Sequence, residues 1–380
     1  MTDLLYHIAQ PENVKATYEE LNNVDFRISG PGRALLAGSV RLVGDVIVTE
    51  NTSFVADGNG NLNRVMYDGF IGAHSFVDTI TTSFSTSGQV ENIRFYPRYV
   101  AAKAKASIAP SDLYNSVYTP EQRTPDCEHA DLLLKGSTVD PTLGAFNAAL
   151  TRPMDFSLKL DCCINNPINN NMISFDKNGD LTLSLTVARS VYVLYGDPEI
   201  GNDKVIELSN LRLMYSTVAD VPKPMPIQLK VETDLKQSLQ SSNAVITTKA
   251  PIVANAFFIT FIRQQDENTQ LVNGMEGQRL PNVRRVEYTW NDSLSNQYRY
   301  ELESEEEFLS NYIKAVNMAI IAENNASLNV LASNDSYGLG LSFGSFVDLS
   351  QSKIGIRIDS DVSNTDPYTA YMFFTGVITL

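Results

Sequence analysis

The sequence predicts an all-β protein of two sandwich domains in tandem, with a few short helices inserted among the strands. Three features point there. Apolar and polar residues alternate with period 2 along both halves, helical periodicity is confined to a few segments, and three prolines interrupt the alternation near the middle. In VIELSNLRLMYSTVADVPKPMPIQLKVETDL (205–235), Leu211, Leu213 and Tyr215 alternate with Arg212, Met214 and Ser216. Pro222, Pro224 and Pro226 then fall at every second position, and alternation resumes with Ile227, Leu229 and Val231. Each proline lacks an N–H and fixes φ, so this piece cannot pair as a central strand. It reads as a stiff strut between two bodies. The expected division is an N-terminal helical segment (1–24), a first sandwich (25–220), a proline-rich linker (221–226) and a second sandwich (227–380).

The totals agree. A chain of 380 residues exceeds the roughly 250–300 that one core usually serves. Hydrophobic content of 43% is ample for packed cores. With 29 Lys and Arg against 44 Asp and Glu, the formal charge is -15, which repels phosphate and argues against nucleic-acid binding. Identical copies also repel, so self-assembly must rest on apolar and hydrogen-bonded contacts. No apolar run approaches a membrane span, and MTDLLYHIAQPENVK lacks the basic start and apolar core of a signal peptide. Cys127, Cys162 and Cys163 make no disulfide framework, and the adjacent pair reads as small buried thiols. Synthesis in a reducing cytoplasm fits.

Along the chain, PENVKATYEELN (11–22) reads as a short helix with Val14, Tyr18 and Leu21 on one face. GRALLAGSVRLVGDVIVT (32–49) sets Val40, Leu42, Val46 and Val48 on one side of extended chain. ADGNGN (56–61) lacks the downstream Glu of a calcium loop and reads as a turn. RYVAAKAKASIA (98–109) is an alanine-rich helix, followed by a long loop region, 111–150. FSLKLD (156–161) is a strand, NNPINNN (165–171) a polar loop, and FDKNGDLTLSLTVA (175–188) a hairpin turning at Asn178-Gly179. In the second half AFFITFIR, RRVEYTW, YRYEL and KIGIRID are strands. Ser304 and Glu307 have capping-box spacing ahead of a helix whose Leu309, Ile313, Val316 and Ile320 share a face. The closing YMFFTGVITL is a strand buried on both faces, or else covered by a partner.

Reactive constellations are scarce. His7, His74 and His129 stand far apart with no second ligand at metal spacing. No nucleophile elbow, Walker loop or dinucleotide fingerprint occurs. YGLGLSFGSF (337–346) reads as a close approach of backbone to a strand. Glu287 and Glu301, on strands that could be neighbours, are candidates for glycoside hydrolysis, although carboxylates on a polar strand face are the simpler reading. Trp290 and Tyr288 suit packing better than sugar stacking. No catalytic group, cofactor or metal is expected, and shape is the expected product.

The segments LPNVRRVEYTWNDSLSNQYRYELESEEEFLSNYIKAVN (280–317), LGLSFGSFVDLSQSKIGIRIDSD (339–361) and YMFFTGVITL (371–380) resemble the second jelly roll of double jelly-roll major capsid proteins of tailless icosahedral double-stranded DNA viruses. ELSNLRLMYSTVADVPKP (207–224) resembles the last strand of the first roll and the linker in that family. The resemblance implies two eight-stranded jelly rolls per chain, a pseudo-hexagonal homotrimer tiling the virion shell, and contact with neighbouring trimers and with minor capsid or penton proteins. It also implies that Pro222, Pro224 and Pro226 set the offset between rolls. The N-terminal segment would face the shell's interior, which adjoins a lipid membrane in some relatives, although the acidity disfavours anionic lipid there. The alternative is a β-sandwich adhesin or viral spike that binds glycans.

Overall fold

The computed structural model describes residues 3–50, 65–69, 71–107, 154–196, 204–220, 224–249, 253–275, 277–291, 297–319, 337–349 and 352–380. The turn at 56–61, the loop 111–150, Cys127, His129 and Pro222 lie outside them.

The first sandwich is built from β1 (Leu5–Ala9), β2 (Thr17–Tyr18), β3 (Asn23–Ile28), β4 (Arg33–Leu36), β5 (Arg41–Glu50), β6 (Val65–Tyr67), β7 (Val77–Phe84), β8 (Gly88–Ile93), β9 (Met154–Lys159), β10 (Met172–Ser174), β11 (Leu181–Val187), β12 (Leu194–Gly196) and β13 (Lys204–Ala219). The second comprises β14 (Ile227–Leu239), β15 (Asn243–Lys249), β16 (Val253–Arg263), β17 (Arg285–Asn291), β18 (Gln297–Leu302), β19 (Leu339–Asp348), β20 (Lys353–Asp359) and β21 (Tyr368–Thr379). The longer helices are α1 (Tyr96–Ser107) and α2 (Glu305–Asn317).

Both sandwiches are wired alike. In the second, β14-β21-β16-β19 faces β15-β20-β17-β18; in the first, β1-β13-β5-β9 faces β3-β11-β7-β8. With each sandwich's eight principal strands numbered in chain order, both read 1-8-3-6 over 2-7-4-5. That is the double Greek key of a jelly roll. Short β2, β4 and β10 extend the first roll's sheet, and β6 with β12 forms a separate ribbon. The strands on either side of the prolines, β13 and β14, belong to different sheets.

Alternation in the sequence becomes alternation of burial. Leu181, Leu183 and Leu185 of β11 point into the first core, as do Val24, Phe26 and Ile28 of β3 beside them. In the second roll β16 and β21 are buried on both faces. On the inner face Phe257 meets Tyr288 at 5.7 Å and Phe374 at 5.6 Å between ring centroids. On the outer face Phe258 packs against Tyr312 of α2 and Tyr99 of α1. The near-continuous apolar run of YMFFTGVITL follows from that helical cover. α2 begins at the expected capping box, with Ser304 accepting from the Glu307 N–H. The close approach at 337–346 also holds. A Cβ on Gly338 would lie 1.8 Å from the Ile259 carbonyl oxygen.

Two expectations are corrected. Residues 11–22 form no helix, and the N-terminal segment instead supplies β1 and β2 to the first roll. Asn13 explains part of this, since its side chain accepts the Asp25 N–H and donates to the Asn23 carbonyl. Tyr18 is buried, but Val14 and Leu21 are exposed, so the apparent apolar stripe is not one packed face. The Asn178-Gly179 pair does not close a hairpin either. Phe175–Asn178 make a single helical turn capped by Ser174, and Gly179 at φ +72° carries the chain from β10 in one sheet to β11 in the facing one.

Candidate functional site: the seam between the rolls

β8 of the first roll and β14 of the second run parallel, with one register pair, Glu232 opposite Asn92. They join the two half-sheets into one sheet of eight strands. So short a ladder leaves backbone donors and acceptors that side chains must satisfy. Glu91, fully buried on β8, accepts the Val231 N–H of β14 and the Cys163 N–H, both at 2.8 Å. Thr233 accepts the Arg94 N–H at 2.8 Å and donates to the Arg94 carbonyl at 2.7 Å. Glu232 accepts the Asn92 N–H at 3.2 Å, while Lys230 donates to the Val90 carbonyl and pairs with Glu232. Burial pushes the Glu91 carboxyl up to about 8 against the pull of its two N–H donors, so it is largely neutral below that pH.

The asparagine-rich loop supplies the second clamp. Asn169 accepts the Ile227 N–H at 2.7 Å, Asn170 donates to the Pro224 carbonyl at 3.0 Å, and Leu229 N–H donates to the Asn166 carbonyl. Asn165 anchors the loop, donating to the carbonyls of Val40 and Leu160 and accepting the Val40 N–H. These residues bracket the proline segment. Pro224 is exposed, and the carbonyl of buried Pro226 accepts the N–H of the final residue, Leu380.

The third contact is α1, a first-roll helix lying across the second roll's outer sheet face. Tyr99 meets Phe373 at a tilt, 5.9 Å between ring centroids, and stacks on Phe258 at 6.3 Å. Phe95 meets Tyr371 edge-on at 4.8 Å, and the Arg98 guanidinium lies 4.5 Å over the Tyr371 ring. Glu267 locks Tyr371 from below, accepting from its hydroxyl, from Thr369 and from Lys236. Burial raises the Glu267 carboxyl, but those three donors outweigh it and hold it below its ordinary value. Aromatic packing, a charge-locked tyrosine and backbone clamps together make the seam a rigid joint.

Elsewhere the residues singled out for chemistry are occupied structurally. Glu287 and Glu301 are cross-strand neighbours, as the strand assignment allowed. Arg285 and Arg299 each pair with both carboxylates, with Arg299 2.9 Å from Glu287 and 3.2 Å from Glu301. Trp290 stacks on Tyr298 at 5.5 Å. His7 hydrogen-bonds Thr217, and buried His74 hydrogen-bonds the Tyr96 hydroxyl. Cys162 and Cys163 are free, buried thiols. Among the described residues no group of His, Cys, Asp and Glu could hold a metal, and no helix is long and apolar enough to cross a membrane. An open cleft of about 560 Å3 is lined by Arg263, Gln278, Arg279, Asn282 and Tyr368 among others, with no carboxylate in its described lining. Sequence reasoning missed the seam's polar clamps. A Glu in the β8 pattern and five asparagines within 165–171 were their only traces.

No protein-family model matches the sequence, and no curated protein matches it. Solved structures do match. The Faustovirus major capsid protein aligns with a TM-score of 0.59 at 9% identity, covering 100% of this chain and 90% of its own. PBCV-1 VP54, fitted into a reconstruction of the virophage Sputnik, aligns with a TM-score of 0.55 at 10% identity, covering 99% and 94%. The Sputnik virophage structure aligns at 0.51 and 12% identity, covering 99% and 85%. The chain has the double jelly-roll fold.

Proposed function

We propose that this chain is the major capsid protein of an icosahedral double-stranded DNA virus, a shell subunit without catalytic activity. The observation that carries the reading is the extent of the likeness. It spans both rolls and their junction in the Faustovirus and PBCV-1 capsid proteins, at 99% or more of this chain. A rigid seam suits that role, because two rolls of one chain can then present near-equivalent edges to their neighbours. Three chains would give six rolls in a pseudo-hexagonal ring with heterologous, head-to-tail contacts that close on themselves. The proline segment of Pro222, Pro224 and Pro226 would set the offset between rolls, with Asn170 holding the Pro224 carbonyl and Asn169 the Ile227 N–H just beyond it. The virion shell is then where the protein acts, with neighbouring trimers and minor or penton proteins as partners. A glycan-binding adhesin has no comparable support.

Because copies carrying a formal charge of -15 must meet, trimer-to-trimer association should strengthen as salt screens them. Negative-stain electron microscopy of the purified chain across a salt series tests the reading. Hexagonal-outline particles that cluster into sheets or shells as salt rises are expected. Isolated single-chain particles at every salt concentration would overturn it.

A further inference from the structure

Because the two rolls are wired alike, each principal strand of the first has a counterpart in the second. The seam joins the fifth strand of the first roll, β8, to the first strand of the second roll, β14. One edge of each kind is left over. β1 is the first strand of the first roll, and among the described residues it pairs with β13 alone. β18 is the fifth strand of the second roll and stands last in its sheet.

Burial separates the joined edges from the bare ones. Val90 and Ile93 of β8 are buried, as are Leu229 and Val231 of β14. On β1, Leu5 is exposed, Tyr6 is 80% exposed and Ile8 60%. Leu5 and Tyr6 are consecutive and point to opposite faces, so this strand is apolar and bare on both. Tyr298 and Tyr300 of β18 stand across from Trp290 and Tyr288, on the core-facing side of their sheet. They are nonetheless 42% and 41% exposed, so the second core lies open along this edge. The charges of β18 do not guard it. Arg299 and Glu301 alternate with the tyrosines and are paired with Glu287 and Arg285 on the other face. β1 carries no Lys, Arg, Asp, Glu or Pro, the residues that normally protect a lone edge strand.

We propose, on the reading that the chain assembles with itself, that β18 of one copy lies alongside β1 of the next. The contact repeats between chains the parallel junction that β8 and β14 make within one. The two edges sit on different rolls and differ in sequence, so the contact is head-to-tail, and each chain offers one edge and receives the other. Tyr6 and Ile8 of one copy cover Tyr298 and Tyr300 of its neighbour and close the open core. Such a junction needs no pairing of charges, which suits copies that each carry -15.

Two edge variants test the contact, Tyr6→Lys with Ile8→Lys and Tyr298→Lys with Tyr300→Lys. Native mass spectrometry should show the wild type assembled and each variant monomeric, with circular dichroism showing each variant folded. Hydrogen–deuterium exchange then reads the far edge. In the β1 variant, protection of the unmutated 297–301 segment should fall about tenfold or more from its value in the assembled wild type. In the β18 variant the same fall is expected at 5–9. A variant that stays assembled, or a monomer whose far edge keeps its protection, overturns the contact while leaving self-assembly standing. A monomeric wild type overturns self-assembly and the contact together. If a lysine pair does not fold, the same two positions are changed to serine with the same expectations. Should those fail to fold as well, the assembled wild type decides alone, with protection at both 5–9 and 297–301 supporting the contact and its absence at either overturning it.

Discussion

Replacing Asn165 with alanine should cost the protein about 4 kcal/mol, far more than a change in a polar loop normally would. The side chain is 2% exposed and makes three hydrogen bonds, accepting the Val40 N–H at 3.1 Å and donating to the carbonyls of Val40 at 2.9 Å and Leu160 at 2.7 Å. Alanine leaves a buried N–H with no acceptor, worth about 2 kcal/mol, and removes a donor from two carbonyls at about 1 kcal/mol each. Asn165→Asp should be no better, since it keeps only the acceptor function and buries a charge. Urea denaturation followed by tyrosine and tryptophan fluorescence gives the difference in unfolding free energy. Because Asn165 anchors the loop that holds Ile227 and Leu229, exchange protection at 227–231 should fall too. A loss below about 1 kcal/mol with unchanged protection would refute the view of this loop as a structural clamp.

Other expectations concern the second roll. Glu267→Gln should cost about 2 kcal/mol by weakening the lock on Tyr371 and Lys236, as read by thermal unfolding. The folded Glu267 holds its proton more weakly than the unfolded chain does, so its stabilisation is present above the unfolded value and is lost as pH falls through the folded one. A stability–pH curve on the acid side should therefore be shallower in Glu267→Gln, and an unchanged slope would contradict the assignment. Gly338→Ala should destabilise by about 2 kcal/mol or more, because the new methyl meets the Ile259 backbone and not a side chain that can move aside. In contrast, Arg299→Ala on the exposed face of β18 should cost under about 1 kcal/mol, since Arg285 still pairs with both carboxylates.

Much of the fold was legible from residue patterns because one face of most strands is buried and the other is not. KIGIRID and LTLSLTV state their inward faces outright in Ile354, Ile356 and Ile358 and in Leu181, Leu183 and Leu185. The capping box at Ser304 was equally plain, because its partners are local. The failures share the opposite property. Val14, Tyr18 and Leu21 have helical spacing, yet Asn13 binds residues ten and twelve positions away and β1 pairs with β13 some two hundred residues on. Asn178-Gly179 is a sound hairpin signal by itself, and only the different sheet memberships of β10 and β11 cancel it. The seam was illegible for the same reason. Glu91, Asn165 and Asn169 act through partners from 5 to 140 positions distant, and nothing in their own neighbourhoods marks them as joints.

The central claim, that this polypeptide is built to assemble with copies of itself, is met most directly by native mass spectrometry of the purified chain at micromolar concentration and low salt. A dominant species with the mass of three chains, resistant to dilution as a large obligate interface requires, is the predicted result. A monomer as the main species under those conditions would contradict it.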